Sequence, residues 1–228
     1  VTVLIQSQPR LVLDAEAETR FRHGQAVGAG AERGSVGVFA ADGSFLGYRG
    51  IGRNVTELVQ ARQRIAQLAY SDALTGLANR TSFGPALELA VNRALRYGRR
   101  LALIFVDLDG FKRVNDVQGH DVGDRLLIEV ARRLRAALRA SDLVARLGGD
   151  EFVVVLEEVE DAAHVETVAR KLLGEIARPY ALVAGADSHV SASLGISMLP
   201  HDASDPHALL KHADTSMYGA KEAGKNRY

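Results

Sequence analysis

The chain of 228 residues has no cysteine. Disulfides, thiolate zinc centres and cysteine nucleophiles are therefore excluded, and the composition fits a reducing, cytoplasmic compartment. It also has no net charge, since 28 Lys and Arg balance 28 Asp and Glu. No overall field draws it to nucleic acid or to an acidic membrane surface. No apolar run approaches the roughly 18 residues of a membrane-crossing helix. No charged-then-apolar signal segment opens the sequence. The first residue is Val1, as expected of a piece of a longer protein, which leaves an upstream sensor or membrane anchor open.

What is present is ordinary globular material, 47% hydrophobic and 25% charged, long enough to bury a core without staples. The most informative stretch is Arg146-Leu147-Gly148-Gly149-Asp150-Glu151-Phe152. Leu143-Val144-Ala145 precedes it and Val153-Val154-Val155-Leu156 follows it. Apolar, β-branched runs around a Gly-Gly turn predict a β-hairpin. Neither Gly148 nor Gly149 has a Cβ, so the backbone there can approach a ligand closely, with Asp150 and Glu151 beside it.

The first 56 residues read differently. Val1–Ile5 and Val36–Ala40 predict strands, and Asp42-Gly43 a turn into a further strand over Phe45–Gly52. Gly28, Gly30 and Gly34 lack dinucleotide-binding spacing and read as loop. From residue 55 or 57 to 71 a helical linker is expected, with Leu58, Ala61, Ile65 and Leu68 at heptad positions a and d. Two readings of it stay open: a helix packed on its own domain, or a parallel coiled coil joining two domains.

Beyond it, a helix is expected from about Ser82 to Tyr97, then a buried strand over Leu101–Val106 that runs into Asp107-Leu108-Asp109-Gly110. Acids at the C-terminal end of a buried strand stand where open sheets place ligand sites. Period two puts Asp107 and Asp109 on one face if the strand continues. An amphipathic helix carries Leu126, Leu127, Val130, Leu134 and Leu138. Asp161 is the expected N-cap of a helix that Pro179 ends. Tyr180–Ala184 and His189–Met198 read as an antiparallel pair, and Pro206 starts a last helix to about Glu222. The order of elements gives an α+β domain with a mixed or antiparallel central sheet flanked by helices.

Hard carboxylate oxygens at two converging strand ends suit Mg²⁺ or Mn²⁺ bound with a phosphate. Two such ions could clamp an attacking oxygen and a leaving pyrophosphate. Spacing by itself leaves solvated acids as the other reading. Gly219–Asn226 only mimics a P-loop: Asn226 stands where Ser or Thr should bind the metal. His164, His189, His201, His207 and His212 have no metal-ligand spacing.

Five motifs then stand in order: Asp72–Arg80 (DALTGLANR), Asp107–Asp116 (DLDGFKRVND), Gly119–Asp124 (GHDVGD), Arg146–Phe152 (RLGGDEF) and Ala220–Arg227 (AKEAGKNR). Together they make residues 72–228 closely resemble the GGDEF family of diguanylate cyclases. The resemblance implies a fold like the palm of nucleotidyl cyclases and polymerases, and condensation of two GTP into cyclic di-GMP with release of two pyrophosphates. It implies metal binding by Asp107, Asp150 and the Leu108 carbonyl, with Mg²⁺ or Mn²⁺, two per half-site. Asp150 is the implied base and Glu151 its support or that of the metals. Asn115 and Asp124 are similar to the guanine readers, and Lys112, Lys221 and Lys225 to the residues near the triphosphate. His120 lies in the same binding segment or makes a local hydrogen bond. Arg139 and Asp142 match an R-x-x-D inhibitory site for cyclic di-GMP, with Arg170 similarly placed to its third residue. A homodimer is implied, because each GTP must attack the other.

Two other classes stay open: a receptor for cyclic di-GMP without catalysis, and a GTP-binding regulatory module. Residues 42–57 resemble the C-terminal strands of a PAS sensor domain, with Asn54 in place of the usual Asp in the exit motif. The expected partition is therefore 1–56 partial PAS-like sensor, 57–71 linker and 72–228 GGDEF domain.

Overall fold

A computed structural model describes residues 69–182 and 189–228 with their side chains, and the backbone of 10–12, 35–39, 45–51, 183 and 186–188. The chain splits into two compact units, Val1–Ile65 and Ala66–Tyr228.

In the first unit, β1 (Arg10–Val12) pairs parallel with β2 (Ser35–Phe39), which pairs antiparallel with β3 (Phe45–Ile51). The second and third overlap strands expected from the sequence. The expected strand Val1–Ile5, the turn at Asp42-Gly43 and the heptads of the linker lie outside the described residues.

The second unit is built on β4 (Arg100–Asp109), which is buried throughout after its first residue. It shares a sheet with β5 (Leu143–Gly148), β6 (Glu151–Val159) and β9 (Ser191–Leu199) in the order β5-β6-β4-β9. Every pairing is antiparallel. Period two divides β4 between two cores. Ala102, Ile104, Val106 and Leu108 face one apolar cluster, which includes Leu126, Leu127, Val130 and Leu134 of α3 (His120–Ala137) and Leu172 and Ile176 of α4 (Ala162–Ala177). Leu101, Leu103 and Phe105 face another, with Phe83, Leu87 and Val91 of α1 (Arg80–Tyr97) and Leu209, Ala213 and Met217 of α5 (Pro206–Glu222). The strand is sandwiched, which is why its sequence reads as an unbroken apolar run.

Helix ends follow local chemistry. Asn79, Asp161 and Asp205 each accept a backbone N–H from the first turn of α1, α4 and α5. Helix α5 lies very close to β9 at Gly195. A Cβ there would collide with the Ala213 carbonyl and the Met217 amide and lie 2.7 Å from Met217 Cβ. That contact fixes where the far end of α5 reaches the sheet.

One expectation is corrected. Tyr180–Ala184 does not pair with His189–Met198. Instead β7 (Tyr180–Val183) pairs with β8 (Ala186–Ser188), and β9 joins β4 along nine residues. The nine residues of β9 are almost continuously buried, and an apolar strand of that kind gains more from the central sheet than from a small hairpin. A further helix, α2 (Phe111–Gln118), follows β4, where the sequence pattern announced no element. Its one buried residue is Val114, so it carries no apolar stripe to read.

Candidate functional site

The C-terminal end of β4 and the turn between β5 and β6 meet because the strands are paired in register. Asp107 stands opposite Glu151, and the Leu108 N–H donates to the Asp150 carbonyl at 3.3 Å. The turn consists of Gly149 and Asp150, between Gly148 and Glu151. Gly149 has φ +52°, a left-handed conformation that suits the first position of a tight hairpin turn and costs glycine least.

Asp107 is 7% exposed, and Lys221 of α5 reaches it with Nζ at 2.8 Å from the carboxylate. Burial foremost, and the carboxylates of Asp150 and Asp109, push the Asp107 pKa above its ordinary range in spite of Lys221. Burial opposes the charge on Lys221, but Asp107, Asp150 and Asp109 outweigh it and raise its pKa. Glu151 is raised too, by burial first, against the pull of Arg80 and with the repulsion of Asp107, Asp150 and Asp214. The site therefore has an excess of negative charge. It opens into a cleft of about 660 Å³ lined by Asp107, Leu108, Lys112, Asp150, Lys221 and Lys225, among others.

Among the described residues no three His, Cys, Asp or Glu side chains form a set that could hold a metal ion on their own. The carboxylates of Asp107 and Asp150 and a strand-end backbone are a partial set of hard oxygen donors. They fit a Mg²⁺-like cation that takes its remaining ligands from water and phosphate.

The guanine-reading candidates lie on the next two helices. Asn115 is half-buried on α2, and Asp124 and His120 are exposed on α3. Gly123 of α3 packs directly against the Asn115 side chain.

Arg139 and Asp142 come together at the turn before β5. Asp142 is buried and accepts the Arg139 backbone N–H at 3.0 Å. Both line a cavity of about 280 Å³ with Glu157, His164, Thr167 and Lys171. Arg170 does not line that cavity. It pairs with Glu166 and donates to the Tyr228 hydroxyl at 3.3 Å. Lys171 is the cation of α4 that does, with Nζ also donating to the Ala137 carbonyl at 2.6 Å.

Three residues gain roles that sequence reasoning missed. Asp109 faces the same side as Asp107 but accepts from Ser191 Oγ, Ser193 Oγ and the Asn226 N–H at 2.8, 2.8 and 3.1 Å. It thereby tethers the segment that carries Lys225. Arg146 donates from Nη1 to both oxygens of Asp72 at 3.0 Å, and from Nε and Nη2 to the Gly149 carbonyl at 3.0 and 2.7 Å. Thr75 and Arg146 hold the Asp72 pKa below its usual range despite burial. Arg80 donates Nε to the Leu147 carbonyl at 3.2 Å and lies 3.6 Å from Glu151. Both arginines and Asp72 stand inside recognisable motifs, which was the available signal; nothing in the spacing distinguishes a turn brace from a ligand.

Residues 69–227 match the family described as "Diguanylate cyclase, GGDEF domain". Over 173 residues the chain is 47% identical to the bifunctional diguanylate cyclase/cyclic di-GMP phosphodiesterase MucR of Pseudomonas aeruginosa, covering 76% of this chain and 25% of MucR. The solved GGDEF domain of TpbB from the same organism is 40% identical with a TM-score of 0.68, covering 69% of this chain and 92% of that one. The coiled coil and GGDEF domain of DgcB from Caulobacter crescentus, solved in complex with c-di-GMP, gives 28% and 0.69, covering 76% and 91%. The strand-end acids, the glycine turn and the lysine-lined cleft thus lie within a stretch that matches the family from residue 69 onward, and the chain belongs to the GGDEF family.

Proposed function

We propose that this chain is a diguanylate cyclase module that joins two GTP into cyclic di-GMP and releases two pyrophosphates. The observation that carries it is the convergence of Asp107 and Asp150 at one end of the sheet, facing a cleft that also holds three lysines. A receptor that only binds nucleotide has no need of a buried acid repelled by a second one beside it.

In this reading Asp107, Asp150 and the Leu108 carbonyl hold Mg²⁺ or Mn²⁺, two ions per half-site. When bound, the metal lowers the pKa of the 3′-hydroxyl and offsets charge on the phosphates. Asp150 takes the hydroxyl proton, with Glu151 in support. The 3′-oxygen bonds to the α-phosphorus of the partner GTP as the bond from that phosphorus to the β-phosphate oxygen breaks. Pyrophosphate leaves with the electron pair, against Lys112, Lys221 and Lys225. Gly148 and Gly149 admit the nucleotide to the backbone. Asn115 and Asp124 read guanine, Asp124 accepting from N1–H and N2–H, and His120 completes that segment. Each half-site needs a second copy, so the active species is a homodimer.

Residues 1–56 are then the remainder of a PAS-like sensor, and 57–71 the linker that sets the dimer. Cyclic di-GMP binds back at Arg139 and Asp142; Arg170 joins them only by leaving Glu166, whereas Lys171 is already in place. The cytoplasm, where GTP is abundant, is the matching location. No helix among the described residues is long and apolar enough to cross a membrane.

Held as a dimer by a fused parallel coiled coil and given GTP and Mg²⁺, the protein is expected to form cyclic di-GMP. No product under those conditions would refute the enzyme reading in favour of a receptor. Asp150→Asn is expected to lower the rate at least ~100-fold, and a fully active variant would remove Asp150 from its role.

A further inference from the structure

Helices α2 and α3 are joined at Gly119 and pack against each other near Gly123. Gly123 is buried within α3 and has an ordinary helical backbone. Nothing in its own conformation demands glycine, and glycine is the poorest helix former after proline. The reason for it lies across the helix pair. A Cβ built on Gly123 falls on the Asn115 amide oxygen, far inside contact distance. It also lies 2.9 Å from Asn115 Cγ and 3.4 Å from Phe111 Cε2. The Asn115 carboxamide therefore occupies the space that a side chain at position 123 would fill.

The same oxygen is buried and has no hydrogen-bond partner among the described residues. An amide normally keeps its place through such bonds, and a buried acceptor without one is costly. Here the Asn115 head group is held by shape. The side chain lies flat on α3 because the helix surface is notched beneath it.

We propose that Gly123 is a specificity-determining positioning residue: its missing Cβ seats the Asn115 amide deep between α2 and α3 and leaves the space above it for the base of the nucleotide. The inference rests on the reading of Asn115 as a guanine contact. A methyl group at 123 lifts the amide out of the notch and into the volume the base needs. The phosphate-facing lysines of the cleft are untouched. The loss then falls on recognition of the base and spares the triphosphate. Gly123 acts through Asn115 and touches no substrate itself.

Equilibrium binding of GTP and ATP analogues whose α- and β-phosphates are joined by a non-cleavable methylene bridge, with Mg²⁺ and measured by calorimetry on the full chain, tests this without turnover. Gly123→Ala is expected to weaken GTP about tenfold, the scale of one or two lost hydrogen bonds, and to leave ATP unchanged. Asn115→Ala is expected to weaken GTP to a similar extent. The double variant is expected to bind GTP no more weakly than Asn115→Ala alone, because no amide remains for the methyl to displace. Since the double variant removes the clash, it also separates displacement from general misfolding. The proposal is overturned if Gly123→Ala keeps wild-type GTP affinity, if it loses GTP and ATP alike, or if its effect adds in full to that of Asn115→Ala. Should Asn115→Ala leave the preference for GTP over ATP intact, the guanine assignment itself fails. That outcome is distinct from an Asn115 effect that Gly123→Ala does not reproduce.

Discussion

Two of the buried charges among the described residues, Arg133 and Asp107, are treated in opposite ways. Arg133 on α3 is 8% exposed, and each part of its guanidinium is occupied. Nε donates to Glu129 at 2.9 Å, and the terminal nitrogens donate to the carbonyls of Glu175, Arg178 and Pro179 between 2.7 and 2.9 Å. Its plane lies 3.8 Å from the centroid of the Tyr180 ring. Arg133 thus closes the C-terminal end of α4, where backbone carbonyls lack helical partners. Asp107 is as deeply buried, but it faces one lysine and two further acids. The first arrangement is electrostatically complete, and the second is left wanting a cation. A structural charge is satisfied by the fold, whereas a site charge is kept for what will bind.

The comparison breaks most visibly in stability. Arg133→Ala should cost about 3–5 kcal/mol, since it leaves three buried carbonyls without their donor, while Glu129 keeps Arg132. The urea midpoint should fall accordingly while GTP turnover per folded molecule holds. Asp107→Asn should do the reverse. It relieves repulsion with Asp150 and Asp109, so its melting temperature should stay level or rise. Its cyclic di-GMP formation should drop at least ~100-fold, the equivalent of about 2.7 kcal/mol at the transition state. Equal destabilisation by the two variants would erase the distinction.

A smaller effect sharpens it through pH. Hydrogen bonds from Arg132 first, then from Arg133, hold the Glu129 pKa down to about 2, against some desolvation. A depressed carboxyl adds stability above its unfolded pKa and loses it as pH falls towards the folded one. Stability from this group should therefore be intact at neutrality and fade between about pH 4.5 and 2. Glu129→Gln should flatten that part of the urea midpoint-against-pH curve; an unchanged slope would show that Glu129 is not its source.

Much of this was legible in the residues. The run Leu101–Val106 gave the central strand, and Gly-Gly-Asp-Glu between apolar runs gave the hairpin, because both depend on local pattern. What stayed hidden depends on distant partners. Arg133 stands next to Arg132 and reads like one of two solvated cations, but Arg132 is exposed and Arg133 is not. Asp109 shares its spacing with Asp107, yet two serines more than eighty residues away make it a brace. The strand Ser191–Leu199 belonged beside Arg100–Asp109, a pairing that no local turn announces. Helix α2 was missed because a mostly exposed helix with one buried residue has no hydrophobic period.

Arg146 links two distant parts of the domain. A single side chain grips Asp72, where the chain enters the domain, and Gly149, next to the principal acid. Entrance and glycine turn are joined through one side chain. A pull or twist applied at residue 71 is delivered to the turn and to the rest of the domain together. In the proposed dimer it would re-aim the domain as a block towards the other copy and do little to reshape the turn itself. Such a module is steered by its handle, with its cutting edge kept in fixed form.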